Sequence, residues 1–422
     1  MQAQQHAGGR PIADQLFHRI SGEQTAPQEA RNGLRHILAL TASKLSDGLI
    51  DPKLILSWLL TSLGAPAVLV GLLVPIREAG ALLPQILLSG WLRQLRYRKR
   101  FWAAGAVGQG VSAGLIVLAA LLLTGWAAGL AICAALAALA LSRAACSVSY
   151  KDVLGKTIAK SRRGSVTGAA GSVSAAGVIG LGLLLVTGVL RSEVAVVMAI
   201  ALAACLWLAA AAVMLRLEEE PSDAEDTARP DLSPLWQDRQ LQLFILVRGL
   251  LVPTALAPPY FVLLAAREGS LKLEGLGVLV LVSALASFVS SYVWGRLADR
   301  SSRKVLMLTG LLGAASMLGA VGAVWLGLAQ TVWALPATLF VLMLAYHGVR
   351  QGRSIYLVDM SPPEHRATYA ALANTAIGTL LLVAGGLGGL AALIGPSAAL
   401  FAFAVLCLGA SVAALWLREV EQ

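Results

Sequence analysis

From residue 36 onward the chain alternates long apolar runs with short charged connections. A bilayer core of about 30 Å takes roughly 20 apolar residues per helix. Cutting the runs at that length predicts spans at 36–62, 66–90, 101–123, 126–147, 166–189 and 194–216, then 240–265, 273–295, 303–327, 331–350, 368–391 and 396–417. The expected fold class is an all-α polytopic membrane protein with twelve transmembrane helices. The first span is the most interrupted, because Lys44, Asp47, Asp51 and Lys53 fall inside it.

Composition agrees. With 57% apolar and 13% charged residues and a mean hydropathy of +0.74, the chain lacks the polar surface to cover a soluble globule. A net charge of +10 would suggest nucleic acid as partner for a soluble protein, but the cations sit in connections between spans, which points to membrane lipid and not to nucleic acid. Arg93, Arg96, Arg98, Lys99 and Arg100 follow span two; Lys151, Lys156, Lys160, Arg162 and Arg163 follow span four. Arg296, Arg300, Arg303 and Lys304 follow span eight; Arg350, Arg353 and Arg366 follow span ten. The opposite connections carry Arg191, Arg267 and Lys272. The positive-inside rule then places both termini and the cation-rich connections in the cytoplasm. Residues 1–34 hold no apolar core of signal-peptide length and read as a cytoplasmic tail. As a helix, this tail would place Leu16, Phe17 and Ile20 on one side, against the membrane.

The polar insertion from Arg216 to Gln240, with Glu218-Glu219-Glu220-Pro221-Ser222-Asp223, Pro230, Ser233 and Pro234, divides the chain. The expected organisation is a tail (1–34), a six-helix bundle (35–216), a cytoplasmic linker (217–239), a second six-helix bundle (240–417) and a short tail (418–422). The bundles echo each other. Gly90-Trp91-Leu92-Arg93-Gln94-Leu95-Arg96-Tyr97-Arg98-Lys99 aligns, 205 residues on, with Gly295-Arg296-Leu297-Ala298-Asp299-Arg300-Ser301-Ser302-Arg303-Lys304, keeping Gly, Leu and the final Arg-Lys pair. Asp47 to Pro52 precedes Pro253 to Pro258 by a nearly equal offset, and Ser149-Tyr150 with Arg163 precedes Ile355-Tyr356 with Arg366. Such spacing implies a duplicated six-helix unit.

The second copy of the loop, with Gly295, Leu297, Asp299, Arg300, Arg303 and Lys304, resembles the signature G-x-L-x-D-R-x-G-R-K/R of the major facilitator superfamily, Ser302 standing for the second Gly. The resemblance spans residues 35–417. It implies two six-helix pseudo-repeats around a central passage, alternating access, and a cytoplasmic gating role for Gly90, Arg98, Lys99, Gly295, Asp299, Arg300, Arg303 and Lys304. In the first copy the acid of the signature is Gln94, which implies a weakened charge latch there. Span five has Gly168, Gly171, Gly177, Gly180 and Gly182 but lacks the Gly-Pro pair of antiporters.

A charge at the bilayer centre costs about 2.5–3.5 kcal/mol on insertion scales, so each one needs a function or a partner. Lys44, Asp47 and Asp51 recur at helical spacing in span one; Arg77, Glu78 and Gln85 lie in span two; Arg143 lies in span four and Arg248 in span seven. These eight are the candidates for a transport cavity and for proton coupling, with Asp47, Asp51 and Glu78 the titratable carboxylates. Arg143, Arg350 and Arg353 stand near predicted helix ends, where snorkelling to the cytoplasmic surface is the plainer reading.

Enzyme readings fail. Gly155-Lys156-Thr157 lacks the Gly that a phosphate loop needs five positions earlier, where Tyr150 stands. His6, His18, His36, His347 and His365 have no metal spacing, and Cys133, Cys146, Cys205 and Cys407 show no paired spacing. No cofactor or metal is expected. The expected function is a monomeric secondary carrier in the inner (cytoplasmic) membrane. It would move a small organic anion or zwitterion, coupled to protons. A multidrug or metabolite exporter, or a non-transporting assembly or lipid-handling protein on the same scaffold, are the alternatives.

Overall fold

The structure is a computed structural model that describes residues 12–21, 26–189, 192–221, 233–268, 272–298, 300–362 and 365–420. Arg191, the linker residues 222–232 and the signature acid Asp299 lie outside the described residues.

Among the described residues there is no strand. A short α1 (Ile12–Ser21) precedes span one, which is two helices, α2 (Pro27–Leu49) and α3 (Ile55–Ser62). Span two is also divided, into α4 (Ala67–Leu82) and α5 (Gln85–Gln94). Spans three to six are α6 (Arg98–Leu122), α7 (Gly125–Thr157), α8 (Arg163–Val186) and α9 (Glu193–Leu215). A four-residue α10 (Pro234–Gln237) leads to span seven, built from α11 (Arg239–Leu250), α12 (Pro253–Leu256) and α13 (Pro258–Arg267). Spans eight to twelve are α14 (Leu273–Ala298), α15 (Ser302–Trp325), α16 (Ala334–Met360), α17 (Arg366–Ile394) and α18 (Pro396–Ala413). Nine spans among the described residues are long and apolar enough to cross a membrane. Spans one, two and ten, which are broken or rich in polar side chains, complete the twelve.

The two broken spans correspond. Pro52 cannot donate to the helical ladder and α2 stops before it, while Ser57 Oγ donates to the Pro52 carbonyl at 2.7 Å. Pro253 and Pro258 each open a new helical segment, and Thr254 Oγ1 donates to the Leu251 carbonyl at 2.8 Å. Irregular backbone at membrane depth is tolerated where it is covered by protein or lines a polar cavity.

Packing repeats as well. In the first half α6 packs on α7 and α9, α2 on α8 and α9, and α4 on α7. In the second half α15 packs on α16 and α18, α11 on α17 and α18, and α14 on α16. The halves meet along a seam of two helix pairs, α4 with α17 and α8 with α14, which exchange under the same correspondence.

Gly385 faces Pro75 across the α4–α17 pair so closely that a methyl group there would lie inside the proline ring. In lipid, where apolar surface alone does not drive helices together, small residues permit this approach. Gly385→Val should therefore overpack the seam and cost about 1–3 kcal/mol. A Cβ at the neighbouring Gly386 meets nothing, so Gly386→Val should leave the Tm of the purified protein unchanged while Gly385→Val lowers it.

The tail departs from expectation. Phe17 of α1 is fully buried, in one apolar cluster with Ala30 and Ile37 of α2, Leu154 of α7 and Val166 of α8. Phe17 and Ile20 of α1 pack on the bundle, because Gly33 leaves the α2 surface open for the Phe17 ring, while the Leu16 side chain lies outside what the structure describes.

Candidate functional site

Asp47 on α2, Arg77 on α4 and Arg143 on α7 converge inside the first half. Arg77 Nη2 donates to Asp47 Oδ1 at 2.5 Å, and Arg143 Nη1 pairs with the same oxygen. The Arg77 side chain is 7% exposed and that of Asp47 24%. Arg143 does not snorkel: α7 continues to Thr157, so its guanidinium lies 14 residues, roughly 21 Å of helix, from the end.

The turn between α2 and α3 gives Asp51 and Lys53 different tasks. The Asp51 carboxylate turns back onto the backbone N–H groups of Lys53 and Leu54 within the turn. Lys53 is 8% exposed, and its Nζ lies 3.8 Å from the ring centroid of Tyr346 on α16, a cation–π contact across the seam. The Arg350 guanidinium lies 5.9 Å from the same ring.

Glu78 follows Arg77 on α4 and forms no ion pair among the described residues, although Lys53, Arg77, Arg143 and Arg353 all act on it electrostatically. It lines a cavity of about 40 Å³ at the seam with Arg248, Thr254, Tyr346, Arg350 and Arg353. Arg248 on α11 is 3% exposed and donates through Nη2 to Asn374 Oδ1 of α17 at 3.0 Å. Arg353 does not snorkel either, since α16 runs on to Met360 and turns this side chain into the cavity. Six cations (Lys53, Arg77, Arg143, Arg248, Arg350, Arg353) thus face three carboxylates (Asp47, Asp51, Glu78), a surplus of three positive charges.

The remaining candidates stand apart. Lys44 is exposed and donates to the Thr167 carbonyl of α8 at 3.2 Å. Gln85 folds back onto the Ala81 carbonyl at 2.8 Å.

The signature loops are latched within their own halves. Glu219 accepts the backbone N–H groups of Arg98 at 3.0 Å and Lys99 at 2.9 Å, capping α6. Lys99 Nζ donates to the Leu217 carbonyl, and Arg98 Nη1 to Asp152 Oδ1, each at 2.5 Å. In the second half Glu419 pairs with Arg303 at 3.2 Å and accepts from Ser301 Oγ at 2.7 Å, while Arg303 Nη1 donates to the Leu417 carbonyl at 3.1 Å. Ser301 Oγ in turn accepts the Lys304 N–H at 3.1 Å. Arg300 and the Lys304 side chain are exposed, Gly295 lies within α14, and Gly90 within α5. The weakened first latch implied by Gln94 is therefore not what the structure has: Asp152 and Glu219, distant in sequence, supply the anions.

Glu218 joins the opening of the linker to α2, accepting from Arg35 at 3.1 Å with Arg31 at 3.6 Å. The Arg35 hydrogen bond holds its carboxyl below the usual range. A depressed carboxylate contributes stability that is present above its unfolded value and lost as pH falls through its folded one. Thermal stability should accordingly decline on acidification below the ordinary carboxylate range, and Glu218→Gln should flatten that part of a Tm-against-pH curve.

The Major Facilitator Superfamily model matches residues 254–422, from span seven onward. Over 93% of this chain and 98% of the other, the fold superposes on a D-xylose-proton symporter with a TM-score of 0.71 at 10% identity. The nucleoside transporter NupG aligns over 93% and 99% with a TM-score of 0.66 at 12% identity. The multidrug resistance protein MdtG of Dickeya zeae (strain Ech586) is 34% identical over 123 residues, 28% of this chain and 25% of that protein. The part of the chain from residue 254 onward thus matches the superfamily's model, and the fold as a whole is the one these transporter structures have. MdtG of Salmonella paratyphi A (strain ATCC 9150 / SARB42) is 31% identical over 125 residues, 29% of this chain and 26% of that protein. The chain thus matches only about a quarter of the length of these curated relatives.

Six residues of the seam escaped the sequence reading as site members: Lys53, Thr254, Tyr346, Arg350, Arg353 and Asn374. Lys53 had a signal, as a charge one residue after Pro52 in an apolar run. A lone Tyr or Asn in a helix carries none.

Proposed function

We propose that this protein is a secondary carrier moving a small organic anion or zwitterion across the inner membrane by alternating access, coupled to protons. The cation-rich face and both ends of the chain are cytoplasmic in this reading. The observation that carries it is the excess of cations over carboxylates in and beside the seam, with Lys53, Arg77 and Arg248 buried, which is tolerated at membrane depth along a polar passage. The Asp47–Arg77–Arg143 cluster ties α2, α4 and α7 into one rocking unit. Glu78, free of an ion pair, is the group placed to exchange a proton as the halves rock.

The test is reconstitution into liposomes loaded with a pH-sensitive dye, challenged with monocarboxylates, dicarboxylates and amino acids. Proton movement evoked by at least one solute is expected; none across the panel, with intact protein, would overturn the reading. Export of drug-like compounds is a second reading, favoured by the curated relatives being multidrug resistance proteins. Hypersensitivity to such compounds in cells lacking the protein would support it.

A further inference from the structure

Arg248 is the buried charge that the ion clusters leave unanswered. It is 3% exposed, its Nε has no hydrogen-bond acceptor, and it forms no ion pair among the described residues. Its side-chain hydrogen-bond partner among the described residues, the Asn374 carbonyl at 3.0 Å, is neutral. Arg353 shares the cavity and adds a further positive field at Arg248 rather than relieving it. A buried cation without a counter-ion is strongly unfavourable, and the planar guanidinium fork matches carboxylate and phosphate groups bidentately.

We propose that Arg248, oriented by Asn374 and assisted by Arg353, anchors the anionic group, carboxylate or phosphate, of the carried solute. This deepens the carrier reading above and rests on it. The cavity of about 40 Å³ holds about three waters, at about 10–15 Å³ each, or a small anionic head group in their place. The rest of the solute must extend along the α4–α17 seam as the halves part. An amide at position 374 fits this role: it fixes the guanidinium without neutralising it, whereas a carboxylate there would occupy the site permanently.

The test is thermal unfolding of the purified full-length protein with benzoate, benzamide, inorganic phosphate or lysophosphatidylglycerol. Benzoate or phosphate should raise Tm where benzamide does not. Arg248→Gln should weaken that response at least tenfold, and Arg248→Lys should keep part of it. Asn374→Asp, bringing its own anion, should raise the ligand-free Tm and abolish the response. The proposal is overturned if benzamide matches benzoate, if no anion raises Tm, if the anion response survives in Arg248→Gln, or if Asn374→Asp lowers the ligand-free Tm. A response to lysophosphatidylglycerol alone, lost in Arg248→Gln, supports the anchor and makes a lipid the occupant. Anion binding through Arg248 without proton flux in liposomes leaves the anchor standing and defeats the carrier reading. Solute-evoked flux that persists undiminished in Arg248→Gln does the reverse.

Discussion

Asp47→Asn is expected to lower the stability of the purified protein by about 3 kcal/mol and to stop solute-linked proton movement altogether. Asp47 is the shared acceptor of Arg77 and Arg143. Its loss leaves two guanidiniums side by side with no carboxylate in contact. Removing one partner of a buried ion pair costs about 3–5 kcal/mol, and the partial exposure of Asp47 places the expected value at the low end. Asn keeps the shape and one acceptor oxygen, so the loss reports charge rather than packing. Asp47→Asn combined with Arg143→Gln should recover part of the stability, because the surplus cation leaves with its partner. Denaturation curves for the two single variants and the double variant measure the coupling.

Glu78→Gln should separate coupling from stability. With no direct ion pair to break, but four neighbouring cations losing a carboxylate, the loss of stability should be smaller than for Asp47→Asn, about 1–2 kcal/mol. Glutamine imitates the protonated carboxyl and cannot release a proton, so uptake driven by a pH gradient should fall at least tenfold while gradient-independent exchange of solute persists. Parallel uptake assays with and without an imposed gradient separate the two. Equal loss of both would make Glu78 a binding group instead of a coupling group.

The spans were legible because apolar runs of bilayer length have few other uses. The halves were legible because the Gly-Leu-Arg-Lys loop recurs. What hydropathy misjudged was the ends of helices. It stopped spans four and ten at residues 147 and 350, whereas α7 reaches Thr157 and α16 reaches Met360. Polar residues at the cation-rich face continue these helices beyond the apolar stretch, so Arg143 moved from a helix end to the Asp47 cluster and Arg353 to the seam cavity. The anions of the first latch, Asp152 and Glu219, were hidden because they reach Arg98 from 54 and 121 residues away. Asp51 and Lys53 both read as charges in span one, but only the turn at Pro52 tells a carboxylate held by its own turn from a cation in contact with the opposite half.

If the charged seam between α4, α11, α16 and α17 is a polar passage opened to alternate sides of the membrane, its wall must be reachable by water-soluble reagents. Thr254, buried in its wall, can be replaced with Cys in a background lacking the four native cysteines, and its reaction with a membrane-impermeant maleimide followed from each face of oriented vesicles. Labelling should occur from a face of the membrane at a rate that changes with pH, and Glu78→Gln should remove the pH dependence. Labelling from neither face by the impermeant reagent, with rapid labelling by a lipid-soluble one, would contradict the claim.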